Sequence, residues 1–391
     1  MKRYCKNVDV TSVPFIERAV LACLKERKKR IRFDTQRMFS YMLGITVPEA
    51  KICLLARNAR YMEGVRLIAE QISREIQGRR ISLPPTSYKR NQVDAGSGKV
   101  RDIARHHIKQ HILDHLAVQA MEPDLLRRIG EYQCASIPGR GQLYGARAIS
   151  RWLRNRKMRY FVKMDVRKHY QSISIPAVLA FYRRLVKNDD LLYVLESVFA
   201  NHDEGLCIGS YLSQYTSNLL LSELYHFACE RLYRVRKSKR TGEQRVRLVQ
   251  HVLFFADDML LLGSRRKDVE SAALELVRRA AGLGMTIKPD WRVVDLNECR
   301  HGRCGFVDMM GFRCHRGFMT LRRRNWRKAR RCILRAGMQL ARRGRVVLET
   351  ARAFSSRLGA LVHTVHKHLV SRYGLTALRL AVSSRISIAA C

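Results

Sequence analysis

Two adjacent aspartates, Asp257 and Asp258, interrupt an otherwise apolar stretch at residues 254–263. Short apolar and aromatic runs on both sides are typical of buried strands, so the stretch predicts two strands of a hairpin with the carboxylates at the bend. Neighbouring carboxylates in an apolar setting suffer from desolvation and from mutual repulsion, and a bound cation relieves both. Mg²⁺ is the natural candidate because it prefers oxygen ligands. The chain is therefore constrained to a fold that presents a buried hairpin to a metal ion.

A third aspartate ends a similar stretch earlier in the chain. Asp165 closes the apolar and aromatic residues 160–164, which predict a short buried strand. If that strand lies beside the hairpin, three carboxylates come together and can hold two ions. Two ions about 3.5–4 Å apart activate an attacking hydroxyl and stabilise the leaving phosphate oxygens in an in-line displacement. An aspartate pair at a turn is weak evidence by itself, because acidic turns are common and mostly solvated.

The charge of the chain points to a polyanionic partner. The sequence has 75 Lys and Arg against 33 Asp and Glu, a formal net charge of +42. Such a surplus pushes a compact fold apart unless a polyanion relieves it, and nucleic acid is the commonest soluble one, with an anionic membrane as the alternative. No apolar run of membrane-spanning length occurs, and the start of the sequence does not resemble a signal peptide. We therefore expect a cytoplasmic protein that does not bind membranes.

The tail of the sequence is its most basic part. Between residues 321 and 391 a single acidic residue, Glu349, stands against many arginines. Apolar residues at helical spacing predict one helix through residues 326–340 and a second one from a cap at Thr350 to Gly374. A helix with one apolar face and one arginine face is suited to follow a phosphate backbone, although an idle basic surface is the alternative. The arginine face includes Arg324, Arg327 and Arg331.

Two further regions constrain the organisation of the chain. Roughly the first ninety residues are basic and have apolar residues at helical spacing, whereas residues 83–85 and 94–98 are rich in Pro and Gly and mark the start of a new region. Cysteines and histidines also cluster at Cys299, His301, Cys304, Cys314 and His315. Their spacing matches no closed zinc motif, so we favour packing over metal binding for them.

Short motifs follow one another in order between residues 96 and 313. They lie at residues 98–103, 137–141, 161–170, 205–214 with Asn218, 255–258, 282–285 with Lys288, and 310–313. In this order they resemble the fingers and palm motifs of bacterial reverse transcriptases. The resemblance implies an α+β right-hand polymerase with an antiparallel palm sheet. Its parts would be an N-terminal basic helical segment at residues 1–86, fingers and palm at 87–318, and a basic helical thumb at 319–391.

The resemblance also assigns roles to single residues. Asp165 and Asp257 would hold the metals with the backbone carbonyl of Val166, and Asp258 would complete the acidic cluster. Contacts with the incoming nucleotide are implied for Lys99, Arg101, Tyr170, Ile208, Gly209, Gln214 and Lys288. Contacts with nucleic acid are implied for Arg140, Ser213 and Asn218, to which the tail adds Arg324, Arg327 and Arg331.

Elementary chemistry supplies a reason for several of these roles. Positive charge at Lys99 and Arg101 would offset the negative charge of the triphosphate during transfer. An aromatic ring at Tyr170 would crowd a 2′-hydroxyl and so favour deoxynucleotides. Glycine at position 209 removes a side chain that would collide with the nascent base pair.

For some of these residues, a purely structural role is the alternative to the implied contact. Tyr170 is otherwise an ordinary core tyrosine, and Lys288 an ordinary exposed lysine. Ser213, Gln214 and Asn218 would lie along one helix, where they either approach template and nucleotide or only cap the helix.

Departures from the family pattern narrow the group that the chain resembles. Cys207 and Ile208 stand where many relatives have proline and glutamine, and Phe255 replaces a more frequent tyrosine. The isoleucine is similar to retron, diversity-generating and other non-intron bacterial groups, among them groups linked to phage defence. The resemblance thus implies a noncoding RNA template, deoxynucleotide substrates, a DNA product, and two Mg²⁺ ions for which Mn²⁺ can substitute.

Other classes of function stay open at this point. One alternative is a polymerase of the same fold that works without a template or from a protein primer, and another is a non-enzymatic RNA-binding scaffold. An unused acidic cluster would oppose RNA binding, which argues against the scaffold. Whether the chain assembles with itself or with a partner protein is also open.

Overall fold

The computed structural model describes residues 4–25, 31–93, 98, 100–203, 205–238, 242–298, 305–365 and 367–388. The chain folds into two compact units, each made of three segments. The first unit comprises Met1–Glu131, Val166–Leu224 and Arg278–Ile287, and the second comprises Tyr132–Asp165, Tyr225–Val277 and Lys288–Cys391. The three regions predicted from the sequence, 1–86, 87–318 and 319–391, follow other boundaries and stay a prediction.

Helices make up most of the regular structure, and strands are short. The helices are α1 (Val13–Lys25), α2 (Phe33–Leu43), α3 (Val47–Ala56), α4 (Ala59–Gln77), α5 (Ile108–Leu125), α6 (Gln142–Trp152), α7 (His169–Ser172), α8 (Ile175–Leu185), α9 (Asp189–Ala200), α10 (Tyr211–Glu230), α11 (Arg266–Ala281), α12 (Arg323–Arg343), α13 (Leu348–Leu361), α14 (Lys367–Arg372) and α15 (Leu375–Ile388). The strands are β1 (Ser87–Val93), β2 (Val100–Arg105), β3 (Gln133–Cys134), β4 (Tyr160–Asp165), β5 (Tyr233–Ser238), β6 (Gly242–Arg247), β7 (His251–Phe255), β8 (Asp258–Gly263), β9 (Val293–Asp295), β10 (Val307–Met309), β11 (Phe312–Cys314) and β12 (Met319–Leu321). This mixture agrees with the predicted α+β class, and the right-hand arrangement stays a prediction.

The N-terminal helices form as their sequence predicts. Thr46 and Glu49 make a capping box at the start of α3, in which each side chain binds the backbone amide of the other residue. Asn58 caps α4 by accepting a hydrogen bond from the backbone amide of Tyr61 at 3.2 Å. One face of α4 is buried along its whole length. Because α1 to α4 cover most of residues 13–77, the helical prediction for this region is confirmed.

A five-stranded sheet within the described part of the second unit has the strand order β3-β7-β8-β4-β9. β3 runs parallel to β7, and the remaining neighbours are antiparallel. The central strand, β8, is apolar and buried from Met259 onward, as strands covered on both faces tend to be. Phe161, Leu253, Leu260 and Leu262 from this sheet pack into the core of the unit. The strand predicted at residues 160–164 is therefore confirmed.

The C-terminal helices match the prediction only in part. Ala329, Ile333 and Ala336 are buried on the apolar face of α12, as their spacing predicts. The predicted cap at Thr350 is wrong, because α13 begins at Leu348 and Thr350 is buried within it. The predicted continuous helix to residue 374 is also wrong. Helix α13 ends at Leu361, since the backbone amide of Val365 bonds to the carbonyl of Met319 at 3.0 Å.

No single helix of the described residues is long and apolar enough to cross a membrane. Helices α2 and α3 pass that test only when they are taken as a pair, and the pair is bent by 100°.

Candidate active site

The hairpin that carries the paired aspartates closes with a two-residue bend. Phe255 at the end of β7 pairs with Asp258 at the start of β8, so Ala256 and Asp257 form the bend itself. Ala256 has a φ of +50°, in the left-handed region that glycine usually occupies in such tight turns. The Ala256 amide donates a hydrogen bond to the carbonyl of Cys134 in β3 at 3.2 Å. The predicted hairpin is confirmed, and its bend is held in an unfavourable conformation.

Asp165 lies beside this bend, at the end of the neighbouring strand. β4 pairs antiparallel with β8, and in this pairing Asp165 stands directly opposite Asp258. Residues that face each other in this way project from the same side of the sheet, with Cβ atoms about 4.5–5.5 Å apart. The sequence prediction that Asp165 pairs beside the hairpin is therefore confirmed.

The other two carboxylates of the cluster act on Asp257. Burial raises the pKa of Asp257 to about 6, and the negative charges of Asp165 and then Asp258 act in the same direction against an opposing backbone hydrogen bond. Oδ1 of Asp165 is buried and accepts no hydrogen bond from any residue that the structure describes. The cluster thus has more negative charge and more oxygen lone pairs than the protein satisfies. A set of carboxylate oxygens in this condition fits a hard divalent cation such as Mg²⁺.

Lys288 supplies a positive charge to this cluster. Its backbone amide donates to the carbonyl of Asp165 at 2.9 Å, and its Nζ forms an ion pair with Oδ2 of the same residue. The hydrogen bond to Asp165 raises the pKa of the Lys288 ammonium group, and the charges of Asp165 and Asp257 add to that shift. Lys288 is therefore anchored at the carboxylates rather than free on the surface, and its predicted contact with a triphosphate stays a prediction.

Residues 137–141 form a tight turn that follows β3. The Arg140 amide bonds to the carbonyl of Ile137 at 3.0 Å, and Gly139 has a φ of +74°. Proline followed by a left-handed glycine is typical of a type II turn. Cys134, at the end of β3, pairs with Phe255, so this motif continues directly from the strand that borders the hairpin. Arg140 is half-buried here, and its contact with nucleic acid stays a prediction.

The loop at residues 205–209 of the first unit packs tightly against backbone. A Cβ atom on Gly205 would lie 2.7 Å from the carbonyl oxygens of Tyr170 and Gln171. Gly209 has a φ of +113°, and a Cβ there would lie 2.8 Å from the Ala104 oxygen. The Ala104 amide also donates to the carbonyl of Ile208 at 2.9 Å. These contacts within the protein already require both glycines, whereas the predicted approach of Gly209 to a base pair is untested.

The predicted nucleotide contacts of the first unit occupy different environments. Arg101 is exposed on β2, and Lys99 lies outside the described residues. Tyr170 is half-buried in α7, with its ring edge-on to that of His169 at 5.6 Å. Gln214 is half-buried in α10.

Helix α10 places two predicted nucleic-acid contacts inside the unit. Ser213 is 0% and Asn218 is 5% exposed. The helix begins where the Ser210 hydroxyl accepts a hydrogen bond from the Ser213 amide at 3.1 Å, so Ser210 is the cap. Ser213, Gln214 and Asn218 therefore do not cap the helix, and their contacts with template and nucleotide stay predictions.

The remaining predicted residues lie in the second unit. Arg324, Arg327 and Arg331 are exposed on α12. Cys299, His301 and Cys304 lie outside the described residues. Cys314 donates from its thiol to the carbonyl of Ala146 at 3.5 Å, and the ring of His315 stacks on Phe318 at 4.5 Å, so both have packing roles.

Comparison with known protein families agrees with this geometry. A family model described as reverse transcriptase (RNA-dependent DNA polymerase) matches residues 88–291, just over half of the chain. The matched range contains Asp165, Asp257, Asp258 and Lys288. No curated protein matches the chain. The chain therefore belongs to the reverse transcriptase family and is an RNA-directed DNA polymerase, a nucleotidyltransferase.

Proposed function

We propose that the protein synthesises DNA at Asp165, Asp257 and Asp258 with two Mg²⁺ ions, and that its template is a dedicated noncoding RNA. As a reverse transcriptase, the chain joins deoxynucleoside triphosphates into DNA on an RNA template. The observation that carries the catalytic assignment is the pairing of Asp165 with Asp258 beside the bend that holds Asp257.

Carboxylate oxygens of Asp165 and Asp257 and the backbone carbonyl of Val166 would hold the ions, while Asp258 would complete the acidic cluster. When bound, divalent ions at such a site activate the primer hydroxyl and stabilise the leaving phosphate oxygens. Mn²⁺ also accepts oxygen ligands and would substitute for Mg²⁺.

Before substrate binds, the ammonium group of Lys288 compensates part of the negative charge of the carboxylate cluster, because it pairs with Asp165. That ammonium group has three donors, of which the incoming triphosphate would take some. On the family resemblance, we assign the same kind of charge compensation at the triphosphate to Lys99 and Arg101.

Selection of deoxynucleotides is assigned to Tyr170. Its aromatic ring would crowd a 2′-hydroxyl, and the half-buried edge-on contact with His169 restricts the ring to few orientations. We assign Ile208, Gly209 and Gln214 to the surroundings of the nascent pair on the resemblance alone.

The positive charge of the protein supports a structured RNA as its partner. The net charge of +42 and the exposed arginines of α12 favour a protein that holds a polyanion continuously. The motif at residues 208–214 resembles those of non-intron bacterial groups, on which we base a role in antiphage defence in the cytoplasm.

A primer-extension assay tests the catalytic assignment. Asp257→Asn should abolish extension on an RNA template while RNA affinity stays nearly unchanged, because the asparagine cannot neutralise a metal ion. Asp190→Asn, at a half-buried position of α9 that pairs with Arg79, is the matched control and should extend primers normally. Synthesis retained by Asp257→Asn would refute the metal assignment.

A second experiment addresses the template. The protein is purified from its host, and the bound nucleic acid is sequenced. One defined RNA with its complementary DNA would support the proposal, whereas DNA product without a matching template would favour template-independent synthesis. Host cells that carry wild-type protein should resist phage, and cells that carry Asp257→Asn should not. Equal phage sensitivity of the two strains would remove the defence role.

A further inference from the structure

Three buried side chains of the first unit bring metal-ligating atoms together. His106, His202 and Cys207 are 0%, 7% and 5% exposed. One ligand atom from each lies within 4.8 Å of the other two. His106 directly follows β2, His202 follows α9, and Cys207 lies in the loop at residues 205–209. The cluster thus joins three separate segments of one compact unit.

The two imidazole rings of the cluster are not satisfied by the protein. Both ring nitrogens of His106 and both of His202 are buried, and none has a hydrogen-bond partner within the described residues. Buried polar side chains nearly always have a partner, so four such atoms side by side need an explanation. Burial disfavours a charged imidazole at both positions and so lowers the pKa of His106 and of His202. A neutral imidazole has a free lone pair for a metal.

We propose that His106, His202 and Cys207 bind one zinc ion. The ring centroids of His106 and His202 are 5.3 Å apart at an angle of 72°. Two imidazoles on one tetrahedral ion have centroids roughly 5 Å apart, given Zn–N bonds of about 2.0–2.1 Å. Two imidazoles and one thiolate are a ligand set that suits zinc, whereas Mg²⁺ prefers oxygen. The rings therefore need only small movements to close on the ion.

The surroundings of the cluster are compatible with zinc. The backbone of Gly205 approaches the His202 ring without meeting hydrogen-bond geometry, and could accept the second ring N–H once the other nitrogen binds metal. The Tyr88 hydroxyl lies 3.5 Å from Sγ of Cys207. Arg32, whose charge acts on His106, is paired with Asp34 at 2.5 Å. That ion pair offsets part of the positive charge of Arg32 near His106.

One of the three proposed ligands borders a groove. Cys207 lines a groove of the first unit together with Tyr88, Gln171 and Ile208. A zinc ion with three protein ligands keeps its fourth position for water or another small ligand, which would enter through this groove.

Such an ion would fasten the loop at residues 205–209. The loop already contacts the backbone of Ala104 through Ile208, at 2.9 Å, and that of Tyr170 through Leu206, at 2.8 Å. Zinc would also link Cys207 to His106 and His202, so the positions of Ile208 and Gly209 would depend on the bound ion. Zinc binding by His106, His202 and Cys207 is independent of the proposed catalytic roles.

Metal analysis of the full-length wild-type protein is the first test. Protein that is expressed in zinc-supplemented medium and purified without chelators should contain about one zinc ion per chain. His202→Gln and Cys207→Ser should each lower the zinc content at least tenfold. A zinc-free wild-type protein that also fails to bind added zinc would overturn the proposal, as would full zinc content in both variants.

Two controls separate this site from the others in the chain. The double variant Cys299→Ser with Cys304→Ser removes the other cysteine cluster and should keep its zinc. Asp257→Asn removes the proposed Mg²⁺ site and should keep its zinc as well. Loss of zinc from the double variant, with full content in Cys207→Ser, would place the metal at residues 299–304 and refute the proposal.

Cobalt substitution keeps the test valid if a variant folds poorly. Wild-type protein reconstituted with Co²⁺ should show the strong visible bands of a tetrahedral ion and a thiolate-to-cobalt charge-transfer band. Tetrahedral bands without the charge-transfer band would exclude Cys207 as a ligand, and weak octahedral bands alone would exclude the site.

Discussion

Lys288 contacts Asp165 twice, through its backbone amide and through its ammonium group. The first contact fixes the chain that follows Ile287 against the end of β4, and the second places a cation among three carboxylates. Because the Lys288 side chain is 33% exposed, its ammonium group remains accessible to a substrate phosphate. Lys288 is thus both part of the carboxylate cluster and a group that can be shared with substrate.

Lys288→Met should raise the KM for deoxynucleotides about tenfold, because a triphosphate loses a charged donor worth about 1–2 kcal/mol after allowance for solvent screening. Lys288→Arg keeps the charge and should recover most of the affinity. Steady-state primer extension with varied nucleotide concentration measures both. An unchanged KM in Lys288→Met would exclude the contact.

Asp257→Asn should stabilise the protein in the presence of EDTA. The substitution removes one of three crowded carboxylates, whose repulsion and burial raise the pKa of Asp257. A gain of about 1–2 kcal/mol corresponds to a rise of a few degrees in Tm. Mg²⁺ should raise the Tm of wild-type protein and leave that of Asp257→Asn unchanged. Equal responses of the two proteins to Mg²⁺ in differential scanning calorimetry would contradict a metal at Asp257.

Gly205→Ala should destabilise the protein by about 1–3 kcal/mol, because the new methyl group meets two carbonyl oxygens at 2.7 Å. Gly359→Ala is the matched control. Apart from the backbone of its own helix and its chain neighbours, no atom of the described residues lies within 4 Å of a Cβ there, and alanine favours helix α13 by up to about 1 kcal/mol. Urea denaturation of the two variants should therefore give shifts of opposite sign. Shifts of the same sign would show that the loop at residues 205–209 adapts.

Tyr170→Ala should increase incorporation of ribonucleotides, because it removes the ring that would meet a 2′-hydroxyl. Tyr170→Phe keeps the ring and should preserve selectivity, and Tyr41→Ala, at a position 81% exposed, should behave as wild type. Competition between ribo- and deoxynucleotides in primer extension gives the ratio. Unaltered selectivity in Tyr170→Ala would leave Tyr170 a packing residue.

Substitution of Arg324, Arg327 and Arg331 by glutamine should weaken RNA binding and reduce its salt dependence. Each phosphate contact contributes about 0.7–0.9 to the slope of log affinity against log salt concentration, so the loss should be about 2–3. The triple variant Lys51, Arg60 and Arg74 to glutamine removes the same charge from exposed positions of α3 and α4. If both variants lose affinity equally, α12 is not a specific contact.

The central part of the site was predictable because it depends on local pattern. Apolar runs of strand length on both sides of Asp257 and Asp258 predict the hairpin, and a similar run before Asp165 predicts the strand that pairs with it. The left-handed conformation of Ala256 was not predictable, because nothing in an alanine indicates it and the contact of its amide with Cys134 is tertiary.

The contacts that escaped prediction join residues far apart in sequence. The pairing of Lys288 with Asp165 depends on how two segments meet, and a lysine alone carries no sign of it. His106, His202 and Cys207 have no motif spacing and converge only through the fold. The interruption after Leu361 likewise follows from the hydrogen bond between Val365 and Met319, against a sequence with good helical periodicity.

The shortness of the bend between β7 and β8 has a consequence for changes in chain length. With only Ala256 and Asp257 between paired strands, one inserted or deleted residue would shift the register of β8. Side chains alternate between the faces of a strand, so such a shift would turn Asp258 away from Asp165 and carry Leu260 and Leu262 to the opposite face of the sheet. Engineering of this polymerase can therefore vary side chains around the bend but has to leave the number of residues in it untouched.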